Sequence, residues 1–193
     1  MSKSHANTLR LCRVGVLAAL YVPLALFVGV SIGNVRLSFG SLPVVTAALL
    51  CGPVEGFLVA MIGEFFKQLL RYGVTATTGL YLIPPALRGL IVGAAALWLW
   101  RKRGETLEQR RILCCIVCIL AAIVTTTGNT LVNWLDSVLY GYFSYAYVFG
   151  DALLRFGVGM LNAVVVATVA IPLVKLLRRR GLDGTMTQLG GAK

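Results

Sequence analysis

The sequence predicts an all-α membrane protein with six transmembrane helices and both termini in the cytoplasm, and three observations predict it. Of 193 residues, 58% are hydrophobic and only 13% are charged, too apolar a balance for an ordinary soluble domain. The apolar residues form continuous runs rather than alternating, which favours helices over a membrane β-barrel. Thirteen of the 18 basic residues gather at three places: Lys3, Arg10 and Arg13; Arg101, Lys102, Arg103, Arg110 and Arg111; and Lys175, Arg178, Arg179, Arg180 and Lys193. Short basic flanks mark the cytoplasmic side of a membrane. The net charge of +11 therefore reports topology and contact with anionic lipid, not nucleic acid. A single integral membrane domain over residues 1–193 is the expectation.

The first helix is expected over about residues 9–33. No charge falls between Val14 and Val35, a run of 22 residues, enough to cross a bilayer. Pro23 should kink it. Small residues one turn apart, Gly15 and Ala19, then Gly29 and Gly33, would let another helix approach closely. Residues 34–40 read as an outer loop that holds Arg36. A short second helix, 41–51, returns inward. Cys51-Gly52-Pro53 is a tight turn, with proline suited to the first position of the next helix.

The third helix, 53–71, runs outward and ends on Glu64, Lys67, Gln68 and Arg71. This i, i+3, i+4, i+7 spacing forms one stripe. One reading is an outer end that snorkels to water with a local Glu64–Lys67 pair. The other is the charged wall of a pocket. Loop 72–79 is rich in Thr and Gly. The fourth helix, 80–100, carries Pro84-Pro85, which favours a bend, and then Arg88. Eight residues in, Arg88 lies about 12 Å deep at a rise of 1.5 Å per residue. It needs a counter-ion, a carbonyl or an anionic ligand; Glu64 is the internal candidate.

Residues 101–111 form the basic inner loop. The fifth helix, 111–135, has an outer half with Thr125, Thr126, Thr127, Asn129, Thr130 and Asn133. Asn129 and Asn133 share a face, and Trp134 is suited to the membrane interface. The tyrosine-dense segment after it reads as an aromatic belt, a lid or an aromatic wall. The sixth helix, 151–177, starts with Asp151 and Arg155 one turn apart.

Sparse polar groups thus converge on the outer half of the bundle. Arg36, Lys67, Arg71 and Arg88 would supply positive charge for a carboxylate; Glu64, Asn129, Asn133 and Trp134 complete the candidate site. No phosphate-binding loop, nucleophile elbow or zinc-binding helix is evident. Cys115-Ile-Val-Cys118 sits inside an apolar span and reads as small buried hydrophobes. His5 lies in a polar tail. No metal and no cofactor are expected. Three function classes are open: a binding subunit for a small anionic solute, a self-sufficient secondary transporter with Glu64 or Asp151 as proton site, and an intramembrane enzyme with either as base. No inverted repeat supports the second, and no nucleophile–base pair or metal cluster supports the third.

The stretch "VRLSFGSLPVVTAALLCGPVEGFLVAMIGEFF" resembles the substrate-binding S components of energy-coupling factor (ECF) transporters. Arg36 to Phe39, Leu42-Pro43, Gly52-Pro53, the Gly56 to Gly63 spacing and Glu64 carry the likeness. "GNTLVNWLDSVLYG" after a basic loop extends it over nearly the whole chain, closest to the folate- and pantothenate-type members. The resemblance implies a vitamin or related micronutrient bound at the outer face. It also implies a membrane coupling subunit and two cytoplasmic ATPases as partners, and no enzymatic activity in this chain. On the first helix, Gly15, Ala19 and Pro23, with Ala18 beside them, are the positions that would meet the coupling subunit.

Overall fold

Seven α-helices, one 3-10 turn (Leu107–Gln109) and one two-stranded hairpin make up the described part of this computed structural model, which covers residues 3–32 and 35–180, with the side chains of 8–29, 37–145 and 148–180. In chain order they are α1 (Lys3–Leu26), β1 (Gly29–Ile32), β2 (Val35–Ser38), α2 (Ser41–Leu50), α3 (Pro53–Tyr72), α4 (Thr78–Arg103), α5 (Arg111–Leu139), α6 (Tyr145–Phe149) and α7 (Ala152–Arg179). His5 and Lys193 lie outside the described side chains.

The chain is helical apart from this hairpin, which corrects the expectation of a first helix running to residue 33. The Phe27 N–H closes the last turn of α1 on the Pro23 carbonyl (2.9 Å). The chain then turns extended, and β1 pairs antiparallel with β2 in the register Gly29↔Ser38, Val30↔Leu37, Ser31↔Arg36, Ile32↔Val35. The physical reason is local. Val28, Val30, Ile32 and Val35 are β-branched, Gly29 is a poor helix former, and Gly33-Asn34 between them is a hairpin dipeptide. Those two connecting residues lie outside the described set.

Around the short α2 the bundle closes. Nine of its ten residues are buried, among them Val44, Val45, Thr46, Ala47, Ala48 and Leu49. α1, α3, α4 and α7 all pack on it. Ten residues span only about 15 Å, half of a hydrocarbon core of about 30 Å, so its ends must be sheltered by protein. The hinge into α3 needs glycine: Gly52 has φ +118°, a region other residues rarely enter. α4 lies nearly backbone to backbone on α3. A Cβ on Gly89 would sit 2.4 Å from the Gly56 carbonyl, and one on Gly93 2.4 Å from Pro53 Cα.

α5 continues four residues past the expected end at 135 and so carries Asp136 on its last turn. α4 also starts two residues early and runs through Pro84 and Pro85 to Arg103. α1, α4, α5 and α7 are long and apolar enough to cross a membrane. α3 holds Glu55, Glu64, Lys67 and Arg71 within 20 residues, and α2 is short.

The basic end of the bundle is tied by two buried carboxylates. Arg10 on α1 pairs with Glu55 on α3. Arg178 on α7 pairs with Glu108 in the α4–α5 loop at 2.8 Å and donates to the Leu49 carbonyl at the end of α2 (3.0 Å). Glu55 and Glu108 are each only 2% exposed, and a buried charge of this kind is tolerated only when paired.

Candidate functional site

At the other end of the bundle, opposite these basic clamps, lies a cavity of about 710 Å³. Its size falls in the usual range for small-molecule sites, about 300–1,000 Å³. The C-terminal halves of α1, α3 and α5, the N-terminal halves of α4 and α7, and β2 build its walls.

One wall is organised by Glu64. Its carboxylate is 3% exposed and accepts hydrogen bonds from the Tyr21 hydroxyl (2.5 Å), Lys67 Nζ (2.6 Å) and Gln68 Nε2 (3.0 Å). The neighbouring Gly63 makes the arrangement possible. A Cβ there would lie 2.5 Å from Tyr21 Cγ, so glycine is what lets the ring lie flat on α3. The Glu64–Lys67 pair is therefore real, but it faces the cavity rather than bulk water.

A second wall comes from α4 and α5. Arg88 donates from Nε to Thr125 Oγ1 (3.3 Å), and Thr125 in turn donates to the Ala121 carbonyl (2.7 Å). Among the described residues no carboxylate lies within ion-pair distance of Arg88. The expected Glu64–Arg88 pair does not form, because three other donors occupy Glu64. Asn129, Asn133 and Asp136 follow on one stripe of α5 and all line the cavity. Asp136 accepts from Thr77 Oγ1 (2.5 Å) and from the Tyr142 hydroxyl.

The third wall is α7 with β2. Asn162 donates from Nδ2 to the Ser38 carbonyl (3.0 Å). Its Oδ1 and the Ser41 hydroxyl are buried and have no protein partner among the described residues. A buried acceptor left unmade costs about 1–3 kcal/mol, so these atoms are poised for a solute or water. Arg155 also borders the cavity.

The sequence-predicted set divides cleanly. Glu64, Lys67, Arg88, Asn129 and Asn133 meet around one cavity. Arg71 does not: it is exposed and stacks over the Tyr72 ring at 5.2 Å, where a cation suits the last turn of a helix. Trp134 points elsewhere on α5, 42% exposed, the position of an interfacial aromatic. The side chain of Arg36 lies outside the described set, although the adjoining Leu37 and Ser38 line the cavity. The described charged lining is Glu64, Asp136, Lys67, Arg88 and Arg155, so among the described residues the lining is nearly balanced rather than strongly cationic.

Sequence reasoning missed Tyr21, Thr77, Tyr81, Asp136, Tyr142, Arg155 and Asn162, and placed Gln68 only in the stripe of the third helix. The i, i+4, i+7 run Asn129, Asn133, Asp136 was a usable signal for one of them; Tyr21 and Asn162 had none beyond being polar groups in apolar helices. On α1, Gly15, Ala19 and Pro23 are exposed along one stripe, but Ala18 is 3% exposed and belongs to the interior. Adjacent helical positions point about 100° apart, so Ala18 and Ala19 cannot share a face.

Residues 5–179 match the family described as ECF-type riboflavin transporter, S component. A UPF0397 protein from Lactobacillus johnsonii (strain CNCM I-12250 / La1 / NCC 533) is 32% identical over 116 residues, 58% of this chain. That match spans about 60% of the relative's length. The S component for biotin from an ECF-type ABC transporter superposes with a TM-score of 0.63, covering 91% of this chain and 95% of that one at 15% identity. FolT bound with folic acid gives 0.54, covering 82% and 90% at 18% identity. At these identities the two structures report the fold alone.

Proposed function

This chain belongs to the family of ECF-type riboflavin transporter S components, and from that premise we propose that its cavity captures a vitamin-sized polar solute at the outer face of the cell membrane. Riboflavin is the first candidate. One observation favours it over a folate- or pantothenate-like anion: Glu64 is drawn onto Lys67 inside the wall. Lys67, one of the four cations expected to serve the solute, is thereby spent within the protein. What faces the hollow is chiefly amides, hydroxyls and tyrosine rings, from Gln68, Asn129, Asn133, Asn162, Tyr81 and Tyr140. Such a lining suits an uncharged ring system with hydrogen-bonding edges. Arg88 then donates to a carbonyl as readily as to a carboxylate.

The proposed topology builds on the same premise. Six spans, with α2 and α3 completing the four long helices, place both termini and the 101–111 loop inside, where their cations meet anionic lipid. The cavity then faces outward. The protein acts as the substrate-binding subunit of an importer, not as an enzyme. A membrane coupling subunit and two cytoplasmic ATPases supply energy, and Gly15, Ala19 and Pro23 on the exposed face of α1 are the candidate docking positions. The ion-coupled alternative needs Glu64 or Asp151 to cycle a proton. Glu64, buried and held by three donors, is better suited to a fixed structural charge.

Equilibrium titration of the purified protein with riboflavin, folate and pantothenate tests the reading. Saturable one-to-one binding of riboflavin, without ATP hydrolysis, is expected; tighter binding of either anion would restore the anionic reading.

A further inference from the structure

The two carboxylates of the cavity are held differently. Glu64 takes its donors from helices: Tyr21 on α1, Lys67 and Gln68 on its own α3. Asp136 takes both of its described donors from connecting segments. Thr77 closes the α3–α4 loop and gives Oδ1 a hydrogen bond of 2.5 Å; Tyr142, in the α5–α6 loop, reaches Oδ2. A carboxylate only accepts and the hydroxyls must donate, so one group on a rigid helix end holds two otherwise separate loops at once.

Each loop is built to move with its contact. Thr77 is 2% exposed and sits in a knot of hydroxyls: Thr75 Oγ1 lies 3.3 Å from Thr77 Oγ1 and 3.0 Å from Thr78 Oγ1. Displacing Thr77 therefore displaces the start of α4. On the other side, Gly141 at φ +72° makes the turn that brings Tyr142 back, with its N–H on the Ser137 carbonyl (3.0 Å). Thr77, Asp136 and Tyr142 all border the cavity.

We propose that Asp136 is a positioning residue that latches the 73–77 and 140–144 loops together at the cavity rim, and that release of this latch governs how fast solute enters and leaves. The proposal rests on the solute-binding reading above and adds a kinetic control to the same site. Loop opening requires the carboxylate to give up two charge-assisted hydrogen bonds, and a single one is enough for a tenfold or larger effect on a rate.

Two readouts test it in the full-length protein. Amide hydrogen exchange without ligand follows residues 73–78 and 137–144 in wild type, Asp136→Asn and Thr77→Val. Stopped-flow release of riboflavin follows the same proteins and the double variant. The latch predicts faster exchange in both loops for either substitution. It also predicts riboflavin release about tenfold faster in each single variant, and little further acceleration in the double variant. Thr77→Val leaves the Asp136 carboxylate in place, and exchange measured without ligand separates the latch from direct solute contact. Unchanged exchange in both loops would overturn the proposal, as would faster release in Asp136→Asn alone. If wild type binds no riboflavin, the binding reading fails, and the exchange experiment still decides the latch.

Discussion

Replacing Glu64 with glutamine should destabilise the solute-free protein by several kcal/mol. The carboxylate is buried and takes three hydrogen bonds, one from a lysine whose side chain is only 22% exposed. The amide keeps one acceptor oxygen and introduces two donors, which cannot satisfy the Tyr21 hydroxyl and Lys67 together. Breaking a buried pair by removing one partner costs about 3–5 kcal/mol. Lys67 retains some access to the cavity, which points to the lower end, about 3 kcal/mol. For a chain of this length, 1 kcal/mol moves the melting temperature by about 2–4 °C, so a fall of about 6–12 °C is expected in detergent without ligand. A companion variant separates charge from packing. Glu64→Gln with Lys67→Met removes the orphaned cation and should recover part of the loss, the coupling that a double-mutant cycle measures. A melting temperature within 2 °C of wild type for Glu64→Gln, a shift of less than about 1 kcal/mol, would refute the view that Glu64 organises this wall.

Further outcomes follow from the same geometry. Gly63→Ala drives a methyl group into the Tyr21 ring and should cost about 1–3 kcal/mol, read by thermal unfolding; Gly15→Ala, with open space at its Cβ, should cost nothing measurable. Arg88→Met should weaken solute binding at least tenfold in equilibrium titration and Asn133→Ala about fivefold, on the scale of about 1.5–3 kcal/mol for a hydrogen bond to a charged group and about 1 kcal/mol for a neutral one. Arg71→Ala and Trp134→Phe, both outside the cavity, should leave affinity unchanged in the same titration. Arg178→Ala should cost about 3 kcal/mol of stability through the stranded Glu108 carboxylate, read by thermal unfolding, without altering affinity in equilibrium titration.

Membrane helices were legible because their signal is long-range and additive. Continuous apolar runs and three basic clusters outweigh any single residue. The β1–β2 hairpin was hidden by the same logic: Val28 to Ile32 is as hydrophobic as a helix, and hydropathy does not distinguish an extended segment from a helical one. Only the β-branched pattern around Gly33-Asn34 could have separated them. Within the site, charges on one helix stripe were legible and their partners were not. Glu64 and Lys67 are three residues apart, whereas the Tyr21 contact spans 43 residues and the Asn162 contact 124. Arg71 lies outside the cavity lining; a stripe at i, i+3, i+4, i+7 is shared by a cavity wall and by a helix end that snorkels outward. Asp136 falls one residue beyond the expected end of the fifth helix, so its place on the same stripe is not legible from that boundary. Ala18 was grouped with Ala19 by adjacency in sequence, which a helix turns into opposite environments.

A hollow walled by Glu64–Lys67, Arg88 and the α5 amides is proposed to hold the solute. Titrating purified wild type and the Arg88→Met/Asn133→Ala double variant with riboflavin, following flavin fluorescence, tests it most directly. Saturable binding at one site per chain in wild type, lost in the double variant while the fold is retained, is the predicted result. Riboflavin binding that persists unchanged in a folded double variant would contradict it.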